Sequence, residues 1–264
     1  MKLSNKKYFE TLARTSNAII SQVKAIAELD LMSVNYKTDN DAVTNKDIAL
    51  QSIVKSELAI LDPLAPILSE EDDFSDLCGD DGWMIDPLDG TSNYIQGLKY
   101  QAISIAKLES GKITCAIVID LENYDVYSAI LGGGAKINGV AILACEPKIK
   151  LVGMSTGVIK LMQSKREIVI PEGINIRVLG SQALQLCFVA TGRLVANISL
   201  EAKAWDDVAG ALIVREAGGS YSCEAYPNKG WFDLAKKGVN LKSAAVSSHT
   251  EEKIKMFVDE VFNV

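Results

Sequence analysis

The stretch WMIDPLDGTSNY, residues 83–94, determines how the rest of the sequence is interpreted. Its first residues are apolar and predict a buried strand, so Asp86 and Asp89 fall where that strand ends. Pro87 disfavours helical geometry at the residue before it and keeps Asp86 extended, and Gly90 permits a tight or left-handed turn. The stretch therefore predicts two carboxylates beside a turn at the edge of a sheet.

The residues after this turn add a place for an anion. Thr91 and Ser92 predict the start of a helix, where free backbone N–H groups can receive a negatively charged group. Two carboxylates at one corner repel each other unless a cation lies between them, and Mg²⁺ prefers one or two carboxylates together with water and a substrate phosphate. We therefore interpret Asp86 and Asp89 as metal ligands and Gly90 as the point where the backbone approaches phosphate.

Other metal chemistries fit the sequence less well. The nine acidic residues between positions 70 and 89 lack the spacing of an EF-hand calcium loop, and those of residues 72–81 are typical of a solvated acidic loop. The single histidine, His249, lies far along the chain beside Thr250 and is predicted at the surface. This placement disfavours a zinc site and a histidine-based catalytic triad.

Two further segments place acids at predicted helix starts. In WDDVAGALIVREAGG, residues 205–219, Asp206 or Asp207 is a first-turn acid, and in combination with the acidic corner Asp206 becomes a candidate metal ligand. In VTNKD, Thr44 and Asp47 fit a capping box. The alternative is that Asp47 acts as a general base, and the residues alone leave both interpretations open.

Composition bounds the class of protein. The 264 residues carry 27 basic and 34 acidic side chains, a net charge of -7, which argues against broad binding to nucleic acid or to an anionic membrane. No segment approaches the ~20 apolar residues of a membrane helix, and the first residues lack the apolar core of a signal peptide. Five widely spaced cysteines without a C-x-x-C motif predict reduced core thiols of a cytoplasmic protein: Cys78, Cys115, Cys145, Cys187 and Cys223.

Hydrophobic periodicity predicts the order of elements. Residues 5–29 are expected to form an amphipathic helix, and a second helix beginning near Asp47 is stopped by Pro63. Residues 64–69 predict a short buried strand, and residues 100–139 predict a meander of strands joined by hairpin turns.

Beyond residue 145, strand-like and helical segments alternate, which predicts a mixed α/β second half. We place a boundary there. Residues 1–145 would form an N-terminal α+β subdomain with the meander and the main metal motif, and residues 146–264 a C-terminal α/β subdomain. The second subdomain would supply Asp206 and the residues on the substrate side.

Four motifs in order resemble the inositol monophosphatase family of Mg²⁺-dependent, lithium-sensitive phosphatases. DPLDGT, residues 86–91, resembles its signature, and the segment of residues 205–219 resembles its second signature. LSEED, residues 68–72, and KTDNDAVTNKD, residues 37–47, resemble two further elements of the family. The resemblance implies a metal-dependent phosphatase with a layered αβαβα sandwich of the inositol monophosphatase or fructose-1,6-bisphosphatase type, in the α/β (α+β) class, commonly a homodimer.

The resemblance also implies roles for the metal ligands. Glu70, Asp86 and the Leu88 carbonyl would hold one Mg²⁺, and Asp86, Asp89 and Asp206 would hold a second. Glu70 would support a third ion and is counted with the catalytic residues. Two nearby Mg²⁺ ions neutralise charge on a phosphomonoester and activate water, so no covalent nucleophile is required.

The remaining implied roles concern the attacking water and the substrate. Asp47 and Thr91 would orient the water, and the backbone of residues 90–92 (Gly90, Thr91 and Ser92) would cradle phosphate. Ser181 is either a helix cap or a substrate contact. The acid that binds inositol in the family has Ser199 at its position here, and Glu201 is a candidate replacement.

Substrate choice stays open between two phosphomonoesters. Asn93 and Tyr94 favour an inositol or polyol monophosphate, whereas the KTDNDAVT and LSEED elements look more like 3′(2′),5′-bisphosphate nucleotidases acting on adenosine 3′,5′-bisphosphate. Two non-enzymatic classes are also kept: a catalytically silent regulatory protein that binds metal, and a metal-storage protein. The expected partner is a small phosphomonoester, with neither nucleic acid nor membrane.

Overall fold

The computed structural model describes residues 5–27, 33–38, 41–72, 79–224 and 230–262. Over these residues the chain forms eight helices and 14 strands in a layered α+β fold. The helices are α1 (Asn5–Ala25), α2 (Asn45–Leu61), α3 (Thr91–Ile95), α4 (Thr156–Ser164), α5 (Gln182–Ala190), α6 (Ala204–Glu216), α7 (Trp231–Lys236) and α8 (Glu252–Phe262).

The strands form two large sheets and a small hairpin. The hairpin is β1 (Val34–Thr38) with β2 (Asp41–Thr44). The first large sheet contains β3 (Ile67–Ser69), β4 (Gly82–Asp89), β5 (Ala102–Glu109), β6 (Lys112–Asp120), β7 (Val126–Ile130), β8 (Gly134–Ile137) and β9 (Val140–Ala141). The second contains β10 (Leu151–Met154), β11 (Asn175–Arg177), β12 (Ala196–Ala202), β13 (Ser220–Cys223) and β14 (Leu241–Val246).

Helices α1 and α2 cover one face of the first sheet. Apolar side chains at helical spacing, such as Leu12 and Ile19 on α1 and Leu50 and Val54 on α2, are buried together with one face of β4, β5 and β6. The opposite face of this sheet packs on α5 and α6. Because both faces are covered, β4 is buried at every position, as its apolar sequence predicts.

Helices α5 and α6 form the middle layer between the two sheets. Helix α6 is buried from Val208 to Val214, which fits a helix that is apolar on nearly every side. The second sheet has the strand order β11-β10-β12-β14-β13 and mixes parallel and antiparallel pairs. Helices α4 and α8 pack on its outer face. The predicted αβαβα layering and the mixed second half are therefore confirmed.

Several local predictions need correction. Helix α1 ends at Ala25, earlier than expected, although residues 28–29 lie outside the described part of the chain. Helix α2 begins at Asn45, because the Thr44 cap closes its first turn. Asp72, predicted in a solvated loop, forms an ion pair with Lys55 at 2.6 Å, whereas Asp80 and Asp81 are exposed as predicted.

Cysteine and membrane predictions can be compared directly with the structure. Cys115, Cys187 and Cys223 are free and buried, but Cys145 is free and exposed, so it is not a core thiol; Cys78 lies outside the described residues. His249 is exposed, as expected. In the described ranges, no helix is both long and apolar enough to cross a bilayer.

The predicted boundary at residue 145 stays a prediction. The largest group of buried apolar side chains joins strands of the first sheet, such as Met84 and Val118, to α5, α6 and α7 of the second half. The two halves therefore share a hydrophobic core, and this shared core brings the functional segments together.

Candidate active site

The acidic corner lies at the end of β4. The pairing of β4 with β5 shifts register between Asp86 and Asp89, because residues 87 and 88 form an irregularity in the ladder. The Leu88 amide donates to Asp86 Oδ1 at 2.8 Å, which turns the chain locally. Gly90 has φ 101°, and a Cβ there would lie 2.6 Å from the Tyr100 carbonyl oxygen. The predicted turn is therefore present, and it requires glycine.

Asp89 is bound to the first turn of α5, far away in sequence. Its Oδ2 accepts from the Ser181 hydroxyl at 2.6 Å and from the Ala183 amide at 2.7 Å, and its Oδ1 accepts from the Gln182 amide at 3.2 Å. A carboxylate at a helix N-terminus is stabilised by these free N–H groups and by the helix dipole. This contact fixes the first sheet against the middle layer at the site.

Asp206 belongs to the first turn of α6. Its Oδ2 accepts from the Lys203 amide at 2.7 Å, so it caps the helix as the sequence suggested. The Lys203 ammonium points away to the Gly238 carbonyl at 2.6 Å and to Asn240 Oδ1 at 2.7 Å. Asp206 can therefore be both a helix cap and a metal ligand, since its Oδ1 takes no part in the capping contact.

A cavity of about 200 Å³ collects the predicted metal ligands. Glu70 reaches it because β3 runs parallel to β4 and ends beside it, with the Glu70 amide donating to the Ile85 carbonyl at 3.2 Å. We call it the acid cavity; its lining residues of functional interest are Glu70, Asp86, Leu88, Asp89, Gly90, Thr91, Ser92, Lys203 and Asp206. Four acids from three distant segments of the chain thus line one space.

The surroundings of these acids raise the pKa of three of them. Burial, followed by repulsion from Glu70 and the other acids, raises the pKa of Asp86 well above its ordinary value. Burial and repulsion from Asp89 and Glu70 do the same to the pKa of Asp206. Burial raises the pKa of Asp89 to about 6, against the opposing effect of its hydrogen bonds from Ser181 and α5. A cation in the acid cavity would relieve this repulsion.

The donor set of the acid cavity fits a hard divalent cation. Carboxylate and carbonyl oxygens are the ligands that Mg²⁺ prefers. Within the described ranges, no three His, Cys, Asp or Glu side chains are grouped tightly enough to hold one ion as they stand. Oδ1 of Asp86 and Oδ2 of Asp206 already accept hydrogen bonds from the main-chain amides of Leu88 and Lys203. Metal binding would therefore require the acids to draw together around the ion.

Asp47 reaches the acid cavity through Thr91. It is buried, and its Oδ2 accepts from the Thr44 amide at 2.7 Å and from the Thr44 hydroxyl at 2.5 Å, which completes the capping box of α2. Its Oδ1 lies 3.0 Å from the Thr91 hydroxyl, which also lies 3.0 Å from the Leu88 carbonyl oxygen. Asp47 is therefore both a cap and a neighbour of the site, with Thr91 between it and the acid cavity.

A second cavity of about 190 Å³ shares Asp89, Gly180 and Asp206 with the first. We call it the neutral cavity, because hydroxyl, amide and apolar side chains dominate its other walls. These include Ser155, Thr156, Val178, Ser181, Gln182, Gln185 and Ser199, and the one further acid among its described lining residues is Glu201. Among the described residues that line the two cavities, Lys203 is the only lysine or arginine.

The predicted substrate residues in the neutral cavity differ in their exposure and in their hydrogen bonds. Glu201 is exposed and lines it. Ser181 is fully buried, donates to Asp89 and caps α5 by accepting from the Leu184 amide at 3.4 Å. The Ser199 hydroxyl accepts from the Glu201 and Ala202 amides at 3.3 and 3.1 Å, so it stabilises the irregular end of β12.

Asn93 and Tyr94 have structural contacts. The Asn93 amide group donates to the Tyr100 and Leu179 carbonyls at 2.8 Å each, which joins the turn after β4 to the segment before α5. The ring of Tyr94 packs with the α1 and α2 core, and the Lys46 ammonium lies 4.9 Å from its centroid. Neither residue lines the acid cavity or the neutral cavity, so the preference for inositol no longer rests on them.

One group of buried polar residues was not assigned from the sequence. Asp207 is fully buried, its Oδ1 accepting from Gln182 Nε2 at 2.7 Å and its Oδ2 from the Tyr221 hydroxyl at 2.9 Å. The Gln182 side-chain oxygen accepts in turn from Asn197 Nδ2 at 3.0 Å. The only signal in the sequence was the doubled aspartate of WDD, which does not say which acid faces the core.

Comparison with known proteins agrees with the geometry. Residues 6–260 match the inositol monophosphatase family. The chain is 35% identical over 219 residues to the protein named Nus factor SuhB of Pasteurella multocida, covering 78% of this chain and 80% of that one. It is 33% identical over 211 residues to the inositol-1-monophosphatase of Rhizobium meliloti, covering 75% and 78%.

A solved structure extends this likeness to the whole fold. The extragenic suppressor protein suhB from Bartonella henselae superposes with a TM-score of 0.75 at 26% identity, over 97% of this chain and 98% of that one. The match in sequence runs through all four motifs, and the match in structure covers every layer. The chain belongs to the inositol monophosphatase family.

Proposed function

We propose that this protein is a Mg²⁺-dependent phosphatase that hydrolyses a small polyol monophosphate. The observation that carries the proposal is the convergence of Glu70, Asp86, Asp89 and Asp206 on one cavity beside the Gly90 turn. Burial and repulsion from the neighbouring acids raise the pKa of Asp86 and of Asp206, so the ionised cluster is unfavourable without a cation. A cluster of this kind is typical of a site whose charge is balanced by bound metal.

The assigned roles follow from position. Glu70, Asp86, the Leu88 carbonyl, Asp89 and Asp206 would hold two Mg²⁺ ions, with Glu70 available to a third. When bound, the ions would neutralise phosphate charge and lower the pKa of water. The turn of residues 90–92 (Gly90, Thr91 and Ser92) lines the acid cavity and would bind phosphate through its backbone amides.

Proton transfer is assigned to Thr91 and Asp47. The Thr91 hydroxyl would take a proton from the attacking water while passing its own to Asp47 Oδ1, 3.0 Å away. The water oxygen then forms a bond to phosphorus, the bond between phosphorus and the ester oxygen breaks, and the leaving alkoxide takes a proton from solvent. Asp47 Oδ2 is held by Thr44, so Oδ1 is the oxygen oriented toward Thr91.

The neutral cavity favours a polyol over a nucleotide bisphosphate. A second phosphate needs a cationic partner, and the one described lysine at the two cavities, Lys203, already donates to Gly238 and Asn240. Ser155, Thr156 and Glu201 instead offer the groups that bind sugar or inositol hydroxyls. The name of the Rhizobium meliloti relative, inositol-1-monophosphatase, supports the same choice.

Phosphate release from inositol 1-phosphate and from adenosine 3′,5′-bisphosphate, measured side by side with Mg²⁺, tests this proposal. We expect turnover of inositol 1-phosphate and little of the bisphosphate. The opposite preference would support the 3′(2′),5′-bisphosphate nucleotidase alternative. Hydrolysis of neither, by a folded protein that binds Mg²⁺, would contradict both substrate proposals.

A second candidate function comes from the other relative. The Pasteurella multocida protein is named as a Nus factor, which leaves open that this chain acts as a regulatory protein rather than through turnover. That function would tolerate loss of Asp47, whose proposed role is confined to proton transfer and helix capping. The predicted homodimer and the predicted lack of a nucleic-acid partner stay predictions.

A further inference from the structure

The inference concerns the buried polar chain behind the acid cavity, and it rests on the proposed function. This chain runs from Tyr221 on β13 to Asp207 on α6, then to the Gln182 side chain at the start of α5. The Gln182 main-chain amide then donates to Asp89 Oδ1 at 3.2 Å. The elements β4, α5 and α6 at the site and β13 behind it are thus connected by hydrogen bonds.

The burial of Asp207 needs a reason beyond stability. Its side chain lies among apolar residues of the middle layer, and burial raises its pKa. A buried polar or charged group is often no more stabilising than apolar residues that fill the same space, even when it is hydrogen-bonded. What it supplies instead is a fixed position, because its two oxygens bind Gln182 and Tyr221 in defined directions.

Two consequences of this anchoring reach the acid cavity. First, the Gln182 side chain is held at both ends, by Asp207 at 2.7 Å and by Asn197 at 3.0 Å. This fixes the residue so that its main-chain amide points at Asp89. Second, Asp207 follows Asp206 directly in the first turn of α6, so anchoring one sets the position of the other. We propose that Asp207 is a positioning residue that holds Asp89 and Asp206 beside each other at the acid cavity, so that they can draw together around a divalent cation.

The variants separate positioning from packing. Asp207→Ala leaves Gln182 and Tyr221 without their shared partner. Asp207→Asn keeps an oxygen for Gln182 Nε2, and its new amide N–H groups can donate to the Tyr221 hydroxyl oxygen. Tyr221→Phe removes only the hydrogen bond to Asp207 Oδ2 and keeps the one between Gln182 and Asp207 Oδ1. Phe257→Leu, in the outer helix α8, reports the effect of destabilisation remote from the site.

Isothermal titration with Mg²⁺ gives the first readout. We expect Asp207→Ala to weaken Mg²⁺ binding about tenfold, as loss of a supporting residue behind metal ligands does. Asp207→Asn should restore binding to within about threefold of the unaltered protein, and Tyr221→Phe and Phe257→Leu should lower only the thermal unfolding temperature. Equal Mg²⁺ affinity in Asp207→Ala and the unaltered protein would overturn the inference, as would an Asp207→Asn variant as impaired as Asp207→Ala.

Amide hydrogen exchange gives a second readout that needs no metal. The amides of Gln182 and Ala183 donate to Asp89, so they should exchange faster in metal-free Asp207→Ala but not in Phe257→Leu. Unchanged exchange at both amides would overturn the inference. If the unaltered protein bound no Mg²⁺, the proposed metal chemistry would fail, whereas these amides would still test the role of Asp207.

Discussion

The acid cavity and the neutral cavity share a wall but differ in charge. The acid cavity gathers Glu70, Asp86, Asp89 and Asp206, whereas the neutral cavity adds hydroxyls, amides and the single acid Glu201. In the acid cavity, burial and repulsion from neighbouring acids raise the pKa of Asp86 and of Asp206. Under the proposed function, the charge-dependent chemistry belongs to the first cavity and the recognition of a polyol to the second.

The largest effect is expected for Asp86→Asn, at the centre of the acid cavity. It removes the carboxylate assigned to both ions, so kcat/KM for inositol 1-phosphate should fall at least about a thousandfold, ~4 kcal/mol of transition-state stabilisation. The metal-free variant should unfold at a higher temperature than the unaltered protein, because a buried, repelled charge is gone. Assay and thermal unfolding would measure both, and retained turnover would contradict the division between the cavities.

Asp47→Asn should have the next largest effect. It should lower kcat by about a hundredfold or more, because a general base is lost. Mg²⁺ affinity should be unchanged, since Asp47 lies behind Thr91. Thr44→Ala is the matched control: it breaks the capping box and destabilises the fold by about 1 kcal/mol but leaves the contact between Asp47 and Thr91. Equal losses of turnover in the two variants would show that Asp47 acts only as a helix cap.

The metal-free protein should lose stability as pH rises. A carboxyl whose folded-state pKa exceeds its unfolded-state value of about 4 destabilises the fold progressively above that lower value. Asp86 and Asp206 have raised pKa values, and that of Asp89 is about 6. The free energy of unfolding in EDTA should therefore be lower at about pH 8 than at about pH 5.

Added Mg²⁺ should reverse this loss. At a concentration a hundred times its dissociation constant, the ion stabilises the fold by about 2.7 kcal/mol. The stabilisation should be larger at about pH 8 than at about pH 5, because protons compete for the same oxygens. Urea unfolding would measure it, with NaCl of equal ionic strength as the control. Equal stabilisation at both pH values would show that Mg²⁺ does not bind at these carboxylates.

The smallest effect is expected for Glu201→Gln in the neutral cavity. Losing one charged hydrogen bond to a substrate hydroxyl should raise KM about tenfold and leave kcat and Mg²⁺ affinity nearly unchanged. Glu252→Gln, a highly exposed acid on α8, is the matched control. A large fall in kcat for Glu201→Gln would mean that the neutral cavity takes part in the chemistry.

The predictions that held depended on local patterns. Apolar periodicity indicated α1, α2, α5 and α6, because each helix buries a face or a whole length against a sheet. The Asp-Pro-Leu-Asp-Gly order indicated the corner after β4, since proline and glycine restrict or permit backbone geometry within a few residues.

The features that local patterns left open depended on contacts between distant segments. In the sequence, the pair of Asn93 and Tyr94 favours an inositol phosphate, but the Asn93 side-chain amide donates to the Leu179 carbonyl, 86 positions away. Ser181 was expected either to cap a helix or to contact substrate; it caps α5, and its hydroxyl also donates to Asp89 at the end of β4. Spacing along the chain does not reveal which carbonyl or carboxylate will lie opposite a side chain after folding.

The sequence by itself determined helices α1, α2, α5 and α6, the turn at Gly90 and the identity of the acids, because these depend on neighbouring residues. The tertiary structure decided that Asp206 faces the acid cavity while Asp207 faces the core, and that Asp47 reaches the site through Thr91. Adjacent side chains on a helix point about 100° apart. Packing of α6 between the two sheets therefore determines which aspartate meets the other acids of the acid cavity and which one meets Gln182.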